Sequence, residues 1–292
     1  MKNQKSTLKP LTELSIASLF WGFGFIATVW VLKFIDSPAI IFYRFLGAFA
    51  VGAIFLPFAK LNKSEIIKEF KLASTAGFWL SLTLVLQAWG LKTTTATKSA
   101  FITTLYVVFV PFGSLLLKEK LPKRHWLWVT IALIGTGFIL DLKFENLGAG
   151  DSLTFINAIT AAIHILVLAK LSPRSKDHFT FNTFQSFWTA LFCLPLLALN
   201  TRWSLFTLDT QAWWGLFSVT IGSSLIAFWL QIRAQEKISA SLASVLFLLE
   251  SPVSMFFAYW LLNERLSVLQ LLGCLLIFIS CLGASLGPSK KY

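Results

Sequence analysis

Apolar residues run in stretches of about twenty along almost the whole chain, each closed by a short polar cluster. Twenty residues of α-helix at ~1.5 Å each cross a hydrocarbon layer of ~30 Å. The pattern therefore predicts spans at 11–32, 39–58, 72–91, 97–117, 124–140, 151–170, 181–199, 212–232, 242–262 and 267–286. No alternation of period two recurs as a lumen-lined barrel would require, so helices must satisfy the backbone within lipid. The first run has span length, and its WGFGFIATVW is no small-residue cleavage site, so it reads as a span and not as a removable signal.

The pattern also repeats. LQAWGLKTTTATKSAF from Leu86 and LQIRAQEKISASLASV from Leu230 both open on Leu-Gln, pass a polar turn and enter a new apolar run, 144 positions apart. LLLKEKL ending at Leu121 answers WLLNERL ending at Leu266 at an offset of 145. A near-constant offset points to duplication of a five-span unit. Five is odd, so the second copy enters the membrane from the opposite side. The expected fold is an all-α membrane protein with ten transmembrane helices in two inverted five-helix repeats. Residues 1–140 form the first repeat, 141–150 a polar connector, and 151–292 the second repeat with a short basic tail. Inverted repeats place one central site at their interface, able to face either side in turn.

Composition sharpens this picture. The chain is 56% hydrophobic and 13% charged, against roughly 25% charged in soluble domains. The net charge of +12 invites a nucleic-acid reading, which needs basic residues gathered on one solvated face. Here they alternate between loops: with the N-terminus inside, 18 fall in inner segments and 6 in outer ones, with Arg44 inside a span. By the positive-inside rule both termini are cytoplasmic. The expectation is a multi-pass protein of the cell inner (cytoplasmic) membrane, with the lipid bilayer as partner and no nucleic acid. Cys193, Cys274 and Cys281 lie in apolar runs without a CxxC pair, and His125, His164 and His178 are scattered. Neither set has metal-ligand spacing, so no metal and no cofactor are expected.

Four stretches carry a family likeness: FWGFGFIATVWVLK at 20–33, PAIIFYRFLGAFAVGAIFL at 38–56, the KEKL turn at 118–121, and residues 242–286 with ESP and NERL inside them. On these, over nearly its full length, the chain resembles the drug/metabolite transporter superfamily and its EamA-type ten-helix members. It departs from the family pattern twice: Glu250-Ser251-Pro252 delays the proline by one place, and Asn263 replaces a glycine before Glu264. The resemblance implies a carrier that moves small organic molecules, often outward, through a cavity between the halves. The family includes amino-acid exporters and has no single substrate.

Ionisable groups within spans are costly and usually face a partner or a water-filled cavity. Measured from span midpoints, Arg44 and Gln87 sit at a common level, ~7 Å to the outer side. Glu250 lies ~3 Å and His164 ~5 Å to the inner side. Arg44 either binds a substrate anion, or snorkels to the interface or ties helices together. Glu250 either carries a coupled proton or caps backbone groups freed by Pro252. His164 either shares that proton or bonds across the bundle. Trp21 and Trp229 are candidate lining for an aromatic or amphipathic substrate, with packing as the alternative. Glu119 and Glu264 occupy matching helix ends and read as local turn residues. The substrate-binding set is thus Arg44, Trp21, Gln87, His164, Trp229 and Glu250.

These readings favour a secondary transporter of small organic metabolites, amino acids or related compounds, working outward by alternating access. The alternative is a multidrug or organic-cation exporter coupled to protons. An integral-membrane enzyme is disfavoured, because no polar catalytic cluster accompanies the histidines. No ring of like charges marks a channel filter. One chain holds both repeats, so a monomer suffices for a pathway.

Overall fold

The computed structural model describes residues 2–116, 121, 123–139, 148–198 and 202–286. Glu119 and the rest of the KEKL turn before Leu121, the connector up to Leu147, and the basic tail lie outside the described residues. Thirteen α-helices are present among those described: α1 (Lys2–Leu32), α2 (Ser37–Phe55), α3 (Lys63–Gly90), α4 (Ala96–Thr103), α5 (Tyr106–Leu116), α6 (Lys123–Ile139), α7 (Ala149–Leu171), α8 (His178–Leu197), α9 (Thr210–Ser218), α10 (Phe228–Gln235), α11 (Ala240–Phe247), α12 (Glu250–Leu261) and α13 (Val268–Ser285). A π-helical stretch, Val219–Ala227, joins α9 to α10. The described residues contain seven helical stretches long and apolar enough to cross a membrane.

Local chemistry sets several starts. Asn62 accepts from Glu65 N at 3.0 Å while Glu65 returns a carboxylate to Asn62 N at 2.9 Å, a reciprocal cap on α3. Ser267 and Gln270 do the same for α13. Asp177 and Asp209 cap α8 and α9 through Thr180 N and Ala212 N.

Helix α8 is absent from the apolar set for a reason visible in its burial. Asn182, Gln185, Ser186 and Thr189 are all buried, on the face packed between α2 and α3. In lipid such groups are tolerable only when surrounded by protein. Helix α6 packs along α13, and there a Cβ on Gly135 would come within 2.8 Å of the Gly273 carbonyl. Only hydrogen fits at that approach.

Two expected spans are not single helices. The 97–117 run breaks between α4 and α5, and the 242–262 run between α11 and α12. At the first break Leu105 N bonds Ile102 O and Val107 N bonds Thr104 O. At the second, Leu249 N bonds Leu246 O and Ser251 N bonds Leu248 O. Each is an i→i−3 tightening, and each bond at one break lies 144 positions from its counterpart at the other. Pro252 has no N–H for the Leu248 carbonyl, and Ser251 N supplies the donor instead.

Asn263 has φ of 56°. This is the left-handed region, which glycine enters freely and asparagine tolerates. The exchange of glycine for Asn263 in the NERL turn is thus conformationally matched.

Ion pairs tie both ends of the bundle. Asp36, just before α2, accepts from Lys92 Nζ at 2.8 Å and from Arg202 N at 3.2 Å. Burial works to raise the Asp36 pKa, but these cationic and backbone donors outweigh it and hold the carboxyl below its ordinary value. At the opposite end Glu13 on α1 accepts from Arg233 on α10 at 2.5 Å, and Lys176 pairs with Glu65.

Candidate functional site

A cavity of about 80 Å³ lies at the centre of the helices, with walls from α1, α2, α3, α7, α10, the π-helical stretch and both helix breaks. Helix α1 closes on the second break because Gly22 has no side chain. A Cβ there would meet the Glu250 carbonyl at 2.7 Å.

Five of the six residues singled out from the sequence line this cavity: Trp21, Arg44, Gln87, His164 and Glu250. Trp229 does not. Its neighbour Phe228 takes the lining position, while the Trp229 ring carries the Arg233 guanidinium 4.6 Å from its centroid and meets Phe179 edge-on at 5.9 Å. Successive helix positions point about 100° apart, so one residue's offset turned that ring out of the cavity.

Arg44 is 4% exposed and does not snorkel; its Nε donates to Ser224 Oγ at 2.5 Å. The guanidinium stands 5.1 Å from the centroid of Phe45. Its two Nη groups have no hydrogen-bond partner among the described residues. Ser224 reaches it from the π-helical stretch, where widened winding frees carbonyls for side chains. Asn182 Nδ2 donates to Ser224 O at 3.1 Å and Leu225 O at 2.9 Å, and Trp21 Nε1 to Ser223 O at 3.3 Å.

Glu250 is 6% exposed and opens α12. Its Oε1 accepts from Tyr106 Oη at 2.9 Å. Its Oε2 has no partner among the described residues, and no hydrogen bond from a helix N–H to the carboxylate is present among them. His164 Nε2 lies 3.5 Å from Gln185 Oε1, with its ring edge-on to Phe228 at 5.9 Å. Arg44 and Glu250 do not pair with one another. One buried space therefore presents a guanidinium on α2 and a carboxyl group on α12, each with unused hydrogen-bonding capacity.

Sequence reasoning missed Tyr106, Gln231, Phe228, Phe247 and Thr103, all of which line the cavity. The signal that finds them is the offset of 144. Trp21 and Ile165, Leu84 and Phe228, Gln87 and Gln231, Thr103 and Phe247, and Tyr106 and Glu250 are five lining pairs with that separation. The Leu-Gln match at 86 and 230 already joined Gln87 to Gln231.

The helices long and apolar enough to cross a membrane surround a central cavity lined by both polar and apolar side chains. The EamA-like transporter family profile matches residues 12–141 and again 148–286, and the chain belongs to that family. It is 28% identical to an uncharacterized transporter of Archaeoglobus fulgidus, over 94% of this chain and 84% of that protein. It is 22% identical to the uncharacterized transporter YcxC of Bacillus subtilis, over 94% of this chain and 92% of the relative. A solved crystal structure shares the fold with a TM-score of 0.73 at 18% identity, covering 97% of this chain and 98% of the other.

Proposed function

We propose that the protein is a secondary transporter of small organic metabolites, amino acids or related zwitterions, exporting them by alternating access through the central cavity. The observation that carries the reading is the pair Arg44 and Glu250: a guanidinium and a carboxyl group in one buried space, unpaired with each other and incompletely hydrogen-bonded. Buried charges are stabilised by partners. A ligand with a carboxylate and an ammonium supplies both at once.

In this reading α4 with α5, α9 through α10, and α11 with α12 each make one rod, giving ten spans in two inverted sets of five. The five lining pairs and two matched breaks at an offset of 144 support that arrangement, as does the twofold family match. The basic-residue distribution favours a cytoplasmic membrane with both termini inside. Glu250 is the candidate carrier of a coupled proton, and a single chain contains the whole pathway.

The test is counterflow of radiolabelled amino acids in proteoliposomes, with Arg44→Gln beside the wild type. The reading expects exchange in the wild type and its loss for carboxylate-bearing substrates in the folded variant. Absence of exchange with every amino acid overturns it.

A second reading, a proton-coupled exporter of organic cations, is favoured by the Glu250 Oε2 without a partner among the described residues and by the clustered rings of Trp21, Phe228 and Phe247 lining the same cavity. It expects transport of amines to survive Arg44→Gln and to fail in Glu250→Gln.

A further inference from the structure

We infer that Gln231 is a second recognition residue for the substrate's ammonium group, acting beside Glu250; this rests on the zwitterion reading above. Gln231 on α10 lines the cavity at 2% exposure, and its Oε1 has no hydrogen-bond donor among the described residues. A buried amide oxygen without a donor is costly and rare in native interiors. Gln231 itself lines the cavity, and a turn of its terminal amide about χ3 presents this oxygen to a ligand there.

The surroundings say which ligand group it takes. Phe228 precedes Gln231 by three positions, and Phe247 precedes Glu250 by three. Both rings lie 5.1 Å from Trp21. Gln231 and Glu250 thus flank one aromatic cluster, and aromatic faces attract cations. Both contribute acceptor oxygens from the C-terminal half, whereas Arg44, on α2, contributes only donors. An ammonium brings three N–H donors. Glu250 Oε2 takes one, and a neutral amide oxygen takes a second without adding another buried charge. The counterpart Gln87, 144 positions earlier, is only half-buried and has no comparable enclosed oxygen.

The test is equilibrium binding of three matched probes to detergent-solubilised full-length protein: L-phenylalanine, 2-phenylethylamine lacking the carboxylate, and 3-phenylpropanoate lacking the amine. Gln231→Met keeps the side chain's length and removes the acceptor. It is expected to weaken the two amine-bearing probes about tenfold, the scale of one buried hydrogen bond, and to leave 3-phenylpropanoate unchanged. Gln231→Glu is expected to tighten 2-phenylethylamine, which keeps the proposal testable should the methionine variant misfold. Equal effects on all three probes, or none on any, overturn the role of Gln231 while leaving the transporter reading intact. Failure of wild-type protein to bind any of the three removes the zwitterion reading and this inference with it.

Discussion

Tyr106 donates a 2.9 Å hydrogen bond to Glu250, and the two residues stand 144 positions apart, the same offset that relates the matching segments of the two halves. Each is the first residue after a helix break. Two positions at that offset thus meet directly at the cavity wall, one supplying a hydroxyl and the other a carboxyl group.

This relationship separates two substitutions that sequence alone would treat alike. Tyr106→Phe deletes the donor and leaves both carboxylate oxygens of Glu250 without protein partners, so thermal unfolding is expected to show a loss of about 1–3 kcal/mol. Glu250→Gln retains an acceptor oxygen for Tyr106 and should cost less. A glutamine variant as unstable as the phenylalanine one would argue against the hydrogen bond as the stabilising element.

Ser224 holds Arg44 in place. Ser224→Ala removes the hydroxyl that receives Nε while keeping the charge in the cavity, and carboxylate-bearing ligands are expected to bind several-fold more weakly. Isothermal titration measures this directly. Unchanged affinity would show that the guanidinium is positioned by packing on Phe45 alone.

Gly22 is where α1 meets the second break. A methyl group there would lie 2.6 Å from Val253 and 2.7 Å from the Glu250 carbonyl, so Gly22→Ala is expected to destabilise by about 1–3 kcal/mol and to impair transport. A fully active, fully stable alanine variant would contradict the close approach of α1 to α12.

Asn263→Gly should leave stability nearly unchanged, whereas Asn263→Val places a β-branched residue at φ 56° and is expected to cost about 1–2 kcal/mol. Comparing the two variants by thermal denaturation isolates backbone strain from lost side-chain contacts.

The Asp36 clamp predicts an acid limit. Its pKa is lowered from 3.8 in the folded protein, so its contribution is present above that ordinary value and is lost as pH falls through the lower folded one. Asp36→Asn should reduce stability at pH 7 by about 1 kcal/mol or less, given partial exposure of Lys92 and Arg202, and the difference from wild type should vanish in strong acid. A gap that persists there would assign the effect to packing.

Hydrophobic periodicity placed most helix ends within a few residues, because burial in lipid demands long apolar runs whatever their partners; α1 and α3 begin nine residues before the expected spans, since their polar first turns extend each helix beyond its apolar run. It also exposed the offset of 144 and the odd placement of Arg44 and Glu250 within apolar surroundings. The breaks within the fourth and ninth expected runs were not legible, since an i→i−3 tightening changes backbone bonding without interrupting hydrophobicity. Nor was the turning of Trp229 out of the cavity and Phe228 into it, a choice made by helix rotation against α1 and α8. Only tertiary packing decided that Arg44 meets Ser224, that Tyr106 meets Glu250, and that Gln231 keeps an oxygen without a donor. Each depends on distances between segments far apart along the chain, and a one-dimensional pattern carries the period of a helix but not the partner its polar face will meet.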